Sequence, residues 1–191
     1  MERRSAEQGQ SWLKRTKGPL FLLFGLAAGV VLGLLIFYGG PDLSKEARHL
    51  PPSVGLVAED FQLQKLDGTS LRLEDLRGRP VLVNFWATWC QPCREEMPLF
   101  EKVAQAFGDR LIIVGVNYAE NQRTVADFAQ EFGLHFSIVL DADGEVSERY
   151  FVRSYPSSFF IDADGVIRAL HLGALNEDQL FTYLETIGIK R

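Results

Sequence analysis

The sequence predicts an α/β fold, a mixed sheet flanked by helices, preceded by one transmembrane helix. Three observations support this prediction. Residues 19–39 form a long uncharged apolar stretch. Beyond residue 56, short apolar runs alternate with segments whose apolar residues have helical spacing. Two alternating runs around Asp164 and Gly165 predict an antiparallel hairpin near the end of the chain, so the sheet is expected to be mixed.

The first 18 residues form a basic tail, and residues 19–39 follow it as a predicted membrane anchor. About 20 apolar residues, at about 1.5 Å each, cross a hydrocarbon core of about 30 Å. An uncleaved signal or a cleaved signal peptide is the alternative, although the apolar core of a signal peptide is shorter, at about 7–15 residues. Because basic residues precede the stretch, the positive-inside rule leaves the N-terminus in the cytoplasm. The rest of this single-pass chain is therefore expected on the extracytoplasmic side of the cell (inner) membrane.

Residues 40–55 are predicted to be a linker, because Pro41, Pro51 and Pro52 interrupt any periodic pattern. Residues 56–191 are enough for one α/β domain. From residue 51 onward the chain carries 13 basic and 21 acidic residues, a net charge of −8. This acidic balance argues against nucleic acid as a partner, since phosphate binding needs a basic face.

The elements of this domain are predicted in chain order from periodicity and from turn and capping residues. An N-terminal β-hairpin comes first, around the turn at Asp67 and Gly68. The later elements are a buried strand at 81–86, a helix at 92–107 ended by Gly108, a strand at 111–116, a helix capped by Thr124 and ended by Gly133, a strand at 136–140, a short helix at 145–151, the hairpin of 158–161 with 166–170, and a last helix capped by Asn176.

The chain has two cysteines, Cys90 and Cys93, in the run Trp-Cys-Gln-Pro-Cys. Cys90 follows the predicted buried strand, and Pro92 suits the first turn of the next helix. Free N–H groups and the helix dipole at that point lower the pKa of a thiol, and the thiolate is the form that attacks disulfides. Cys90 is therefore the predicted nucleophile, and Cys93, one turn on, is the predicted resolving thiol.

The residues around the cysteines complete this predicted site. Trp86 and Trp89 are expected to shield it and to offer a flat apolar contact surface, and Gln91 and Pro92 separate the two thiols. A zinc site would need two further ligands, and His49, His135 and His171 lack ligand spacing. A c-type haem site needs a histidine where Arg94 stands. No metal, and no cofactor beyond a redox-active Cys90–Cys93 disulfide, is expected.

Two Asp-Ala-Asp-Gly runs, beginning at Asp141 and Asp162, look like calcium loops. Both lack the glycine and glutamate that an EF-hand needs at the sixth and twelfth positions of its loop. They are therefore predicted to be turns.

Residues 83–98, Val-Asn-Phe-Trp-Ala-Thr-Trp-Cys-Gln-Pro-Cys-Arg-Glu-Glu-Met-Pro, closely resemble the active-site block of the TlpA/ResA/DsbE-like branch of the thioredoxin superfamily. The likeness extends over about residues 55–189. It implies a thioredoxin-like fold and a membrane-anchored thiol-disulfide oxidoreductase. Tyr155 and Pro156 resemble the cis-proline loop of the family, which implies a cis bond, a loop that faces the cysteines and pairing with the substrate backbone.

The resemblance also bears on two polar residues. Asn84 stands where thioredoxins proper have a buried aspartate, and a neutral amide cannot act as a proton acceptor as that aspartate does. The resemblance implies a role in proton handling for Glu96, one turn past Cys93; the alternative is a solvated helix residue. Glu95 is expected to be a surface residue.

Three functions are compatible with the sequence. The first is an extracytoplasmic dithiol reductant of protein disulfides, of the cytochrome c maturation type. For it, the resemblance implies a membrane electron donor of the CcdA/DsbD type and substrates such as apocytochrome c. The second is a thiol peroxidase, because Thr88 before Cys90 faintly resembles a peroxiredoxin motif. The third is a dithiol module that delivers copper or haem, since two thiolates can suit Cu(I).

Overall fold

The computed structural model describes residues 51–190. The predicted basic tail, the anchor and the linker up to residue 50 lie outside the described residues. Within that range no helix is both long enough and apolar enough to cross a membrane. The strands are β1 (Gln62–Lys65), β2 (Ser70–Arg72), β3 (Val81–Trp86), β4 (Ile112–Tyr118), β5 (Ser137–Asp141), β6 (Ser157–Ile161) and β7 (Ile167–Leu172). The helices are α1 (Gln91–Phe107), α2 (Gln122–Phe132), α3 (Glu145–Arg149) and α4 (Glu177–Thr186).

The strands form one sheet in the order β2-β1-β5-β4-β3-β6-β7. Strand β4 runs parallel to both β3 and β5. The two hairpins, β1–β2 and β6–β7, are antiparallel, as are the pairs β1–β5 and β3–β6. The sheet is therefore mixed, as predicted.

Strand β3 lies inside the sheet between β4 and β6 and is buried along its whole length. Its near-continuous apolar run suits this position, because a strand covered on both faces has no solvent side for polar residues. Leu82 and Trp86 point to one face, and Val83 and Phe85 point to the other.

Helices cover both faces of the sheet, as the alternation of elements predicted. The first face packs against apolar residues of α1, α2 and α4. The second face packs against Ala58 and Phe61 before β1, against Leu73 just after β2, and against Val146 and Tyr150 at the short helix α3. Helix α1 buries one stripe at helical spacing, which consists of Cys93, Met97, Phe100, Val103 and Phe107.

The predicted start of α2 is wrong by three residues. Asn121 caps the helix, and its side chain accepts a hydrogen bond from the backbone N–H of Thr124 at 3.0 Å. Both residue types cap helices, but asparagine is the stronger cap, and here Thr124 supplies the N–H that asparagine satisfies. The short helix is also two residues shorter than predicted, because Phe151 has a φ of 55° and leaves the helical region.

The assignment of the cap predicts a contrast between two alanine variants. Asn121→Ala removes the side-chain acceptor for the first turn of α2 and should lower the free energy of unfolding by about 1 kcal/mol. Thr124→Ala removes no cap and should change it by less than about 0.5 kcal/mol. Urea unfolding of the two variants measures both values, and a larger loss in Thr124→Ala would contradict the assignment.

Candidate active site

The two cysteines lie where strand β3 connects to helix α1. Residues 87–90 connect β3 to α1, and Cys90 is the N-cap of that helix. Cys90 and Cys93 form a disulfide. The Cys90 sulfur accepts the N–H of Cys93 at 3.3 Å, which shows that a free helix N–H group points at it. Cys90 keeps 5% of its surface exposed whereas Cys93 is fully buried, so an incoming disulfide reaches Cys90 first.

The cis-proline loop lies beside these cysteines because of the strand pairing. Strand β6 runs antiparallel to β3, and Ser157 pairs with Phe85. The start of β6 therefore lies next to the end of β3, which leads into the cysteine loop. The Tyr155–Pro156 bond is cis, as the resemblance implied. The carbonyl of Pro156 accepts the N–H of Gly173 at 2.8 Å, which ties the loop to the end of β7.

The two tryptophans have different environments, and the prediction is wrong for one of them. Trp86 is fully buried, and its ring packs on Phe128 at 5.0 Å, so it offers no contact surface. The reason is its place as the last residue of β3, facing the helices α1 and α2. Trp89 is 64% exposed, and its ring meets the Tyr155 ring edge-on at 5.8 Å. The exposed apolar surface at the site therefore comes from Trp89, which packs on the half-buried Tyr155.

The dipeptide between the cysteines faces outward. Gln91 and Pro92 are exposed, and the side-chain amide of Gln91 donates to Glu95 at 3.1 Å. Glu95 is exposed, as predicted.

Glu96 lies one turn past Cys93 in α1 with only 2% of its surface exposed, which rules out a solvated helix residue. One carboxylate oxygen accepts from Asn84 Nδ2 at 3.0 Å, and the other accepts the backbone N–H of Leu175 at 3.0 Å. Burial raises the pKa of Glu96 to about 7, and the N–H donors of Leu175 and Asn84 only partly oppose that rise. A carboxyl group with such a pKa can take up or release a proton near neutral pH.

Asn84 connects Glu96 to the neighbouring strand. It is fully buried in β3, and its Nδ2 also donates to Ser158 Oγ at 3.0 Å. Its Oδ1 has no hydrogen-bond partner among the described residues. The amide therefore holds the carboxylate without adding a second negative charge.

The sequence prediction missed Glu120, which lies just past the end of β4. Its carboxylate accepts the N–H of Thr88 at 2.7 Å, the Thr88 hydroxyl, and Asn117 Nδ2 at 2.7 Å. No motif or spacing marked it, because it lies far along the chain from Cys90 and only the β3–β4 pairing brings the two together.

The remaining candidates have ordinary structural partners. Among residues 51–190, no three or more His, Cys, Asp or Glu side chains are grouped to hold a metal ion. His135 lies 2.9 Å from Glu101, and the ring of His171 lies 5.5 Å from the ring of Tyr183; His49 lies outside the described residues. Both Asp-Ala-Asp-Gly runs are turns, as predicted: the buried Asp141 accepts N–H groups at the start of α3, and Asp162 closes the β6–β7 turn.

Comparison with known proteins gives consistent matches. A family model described as the AhpC/TSA family matches residues 54–170. The thioredoxin-like protein YneN of Bacillus subtilis (strain 168) is 37% identical over 158 residues, which cover 80% of this chain and 92% of that protein. The thiol-disulfide oxidoreductase ResA of the same strain is 31% identical over 175 residues, which cover 91% of this chain and 96% of that protein.

A solved structure shares the fold as well. The crystal structure of a putative thiol:disulfide interchange protein DsbE from Chlorobium tepidum superposes with a TM-score of 0.67 at 28% identity. The match covers 72% of this chain and 99% of that chain. The predicted thioredoxin-like fold is confirmed.

The burial of Glu96 predicts a pH-dependent stability that Glu96→Gln should remove. In the unfolded chain this carboxyl titrates near 4.5, and in the folded protein near 7, so the folded state holds its proton more tightly. The favourable contribution is present below about pH 4.5 and is lost as the pH rises through about 7. The shift corresponds to about 3 kcal/mol of unfolding free energy.

Urea unfolding of the wild type and of Glu96→Gln between pH 4 and pH 8 checks this prediction. Other titrating groups contribute equally to both proteins, so the difference between the two curves isolates Glu96. The difference in unfolding free energy between the two proteins should change by about 3 kcal/mol between pH 4 and pH 8. Parallel curves would show that Glu96 titrates normally.

Proposed function

This chain belongs to the AhpC/TSA family and to the TlpA/ResA/DsbE-like thiol-disulfide oxidoreductases, and from that premise we propose that it is an extracytoplasmic dithiol reductant of protein disulfides. The observation that carries the proposal is the placement of the disulfide. Cys90 caps α1 and keeps 5% of its surface exposed, Cys93 is fully buried, and the cis Pro156 lies alongside. This arrangement suits attack by one thiol and release by the other.

The proposed reaction begins with the reduced dithiol. The Cys90 thiolate attacks one sulfur of a substrate disulfide, forms a mixed disulfide and expels the first substrate thiolate. The Cys93 thiolate then attacks the Cys90 sulfur, which closes the Cys90–Cys93 disulfide and expels the second substrate thiolate. Two electrons and two protons have then passed to the substrate. Cys93 must lose a proton before it attacks, and we assign Glu96 as the group that accepts it.

The proposed substrate contact lies between the cysteine loop and the cis-proline loop. Trp89 presents an exposed aromatic surface beside the half-buried Tyr155, and the backbone near Pro156 is proposed to pair with an extended substrate segment. A protein whose disulfide lies in an exposed, extended segment fits this description, and apocytochrome c is the proposed example.

The location and the electron donor are proposals that rest on the N-terminal sequence. The basic tail and the apolar stretch of residues 19–39 support an anchored chain with the enzyme domain outside the cytoplasm. A dithiol reductant must be reduced again after each turnover. For an anchored domain outside the cytoplasm, a membrane donor of the CcdA/DsbD type would supply those electrons.

The peroxidase alternative has a single supporting feature in the sequence. It rested on Thr88, whose hydroxyl donates to Glu120. Turnover that depends on peroxide, with a thiol donor supplied, would support this alternative. Copper or haem retained on purification, together with a redox-inert cysteine pair, would support the delivery module.

Two serine variants should separate the roles of the cysteines. Cys90→Ser removes the attacking sulfur and should abolish the reduction of insulin disulfides. Cys93→Ser keeps the attacker but removes the resolving thiol, so mixed disulfides with substrate should accumulate. Non-reducing gels with mass spectrometry detect those adducts at Cys90.

The same single-cysteine chain tests the location. On intact cells, Cys90 of Cys93→Ser should react with a membrane-impermeant maleimide if the domain is extracytoplasmic, and should stay unlabelled if it is not.

For the reduction assay, insulin reduction by Cys90→Ser at the wild-type rate would rule out the proposed mechanism.

A further inference from the structure

Residues 118–120, at the end of β4, touch both loops that form the redox site. Their backbone has an unusual conformation, because Ala119 has a φ of 54°, which residues other than glycine rarely adopt. The N–H of Ala119 donates to the carbonyl of Asp141 at 2.9 Å, which fixes this conformation against β5. A strained backbone held in place by its neighbours often marks a functional site.

On one side of Ala119, the carboxylate of Glu120 holds the cysteine loop. Thr88 donates to it with both its backbone N–H and its hydroxyl. Arg94 holds the same residue from the other end, because its guanidinium donates to the Thr88 carbonyl at 3.3 Å. That guanidinium lies over the rings of Phe128 and Phe132, at 5.0 and 4.9 Å. The peptide groups that lead into Trp89 and Cys90 are therefore restrained on both sides.

On the other side of Ala119, Tyr118 supports the cis-proline loop. Its ring packs on the ring of Tyr155 at 5.1 Å, and Tyr155 directly precedes Pro156. Gly144 leaves room for the Tyr118 ring, since a Cβ at Gly144 would lie 2.7 Å from it. The Tyr155 ring in turn meets Trp89. The contacts therefore form a closed circuit. Glu120 contacts the cysteine loop, Trp89 of that loop contacts Tyr155 of the cis-proline loop, and Tyr155 contacts Tyr118 of β4.

We propose that Glu120 is a positioning residue for disulfide exchange, which holds the cysteine loop at a fixed separation from the cis-proline loop. The proposal rests on the proposed function only for the place where substrate binds. It applies to electron flow in either direction, because reductant and oxidant would use the same contact between the two loops. A protein substrate must meet Cys90 and the backbone near Pro156 together, whereas a small disulfide needs Cys90 alone.

Three variants of the full-length chain test this role, with Asp127→Asn as the matched control. Asp127 is an exposed carboxylate on α2, and its only described ion pair is with Arg123 at 4.0 Å, away from the cysteine loop. Glu120→Ala removes every acceptor for Thr88. Glu120→Gln keeps one acceptor for the Thr88 N–H and can donate its amide to the Thr88 hydroxyl oxygen. Thr88→Val removes only the hydroxyl.

The readouts are kcat and KM for insulin reduction, the rate with dithiobis(nitrobenzoic acid), and the proton shift and exchange rate of the Thr88 amide. We expect Glu120→Ala to raise KM for insulin about tenfold, because a misplacement of about 1 Å at a reacting group can cost up to about a hundredfold. The rate with the small disulfide should stay within about twofold, and the Thr88 amide should exchange faster. The KM of Glu120→Gln for insulin should return most of the way to the wild-type value. The KM of Thr88→Val should lie between those of Glu120→Gln and Glu120→Ala.

Three outcomes would overturn the proposal. The first is a wild-type KM for insulin in Glu120→Ala. The second is an equal loss with insulin and with the small disulfide, which would indicate general damage. The third is a Glu120→Gln as impaired as Glu120→Ala, which would make the charge and not the hydrogen-bond geometry the cause. If the wild type oxidises protein dithiols instead of reducing insulin, the proposed reductant function fails, and the same variants then test the positioning role with a reduced protein substrate.

Discussion

The short connection between β3 and α1 is the constraint on which the redox site depends. Strand β3 is buried and hydrogen-bonded on both sides, so its end is fixed in space. Helix α1 begins after residue 90 and is fixed by its own buried stripe. The residues between these two rigid elements have little freedom, and Cys90 must lie at the first turn of the helix. The antiparallel pairing of β6 with β3 then brings Pro156 to the same end of the sheet.

The site combines an accessible sulfur with a buried acid. Cys90 keeps 5% of its surface exposed and directly follows the exposed Trp89, where a protein can approach. Glu96 lies further along α1, where burial raises its pKa to about 7. Asn84 is suited to this place, because it donates to the carboxylate and adds no charge of its own. A second buried carboxylate there would repel the first. The attacking sulfur of Cys90 and the proton-accepting carboxyl of Glu96 are thus separated by nearly two turns of helix.

The order of elements and the roles of the cysteines could be predicted from the sequence, because both depend on local patterns. The apolar run of β3, the spacing in α1 and the glycine that ends it are all such patterns. Contacts between distant segments could not be predicted in this way. The burial of Glu96 depends on Leu175 and Asn84, and the resemblance alone pointed to it. Trp86 and Trp89 look alike in sequence, yet one ends a buried strand and the other lies in a loop. Glu120 carries no motif, since only the β3–β4 pairing brings it to Thr88.

The claim that this site reduces its substrates is tested most directly by the reduction potential of the Cys90–Cys93 pair. Equilibration of the full-length chain with glutathione buffers, followed by thiol alkylation and mass spectrometry, gives that potential. The account predicts a value below about −200 mV, nearer to the roughly −270 mV of thioredoxin, at which the dithiol is a good electron donor. A value near −120 mV, typical of a strong oxidant, would contradict it.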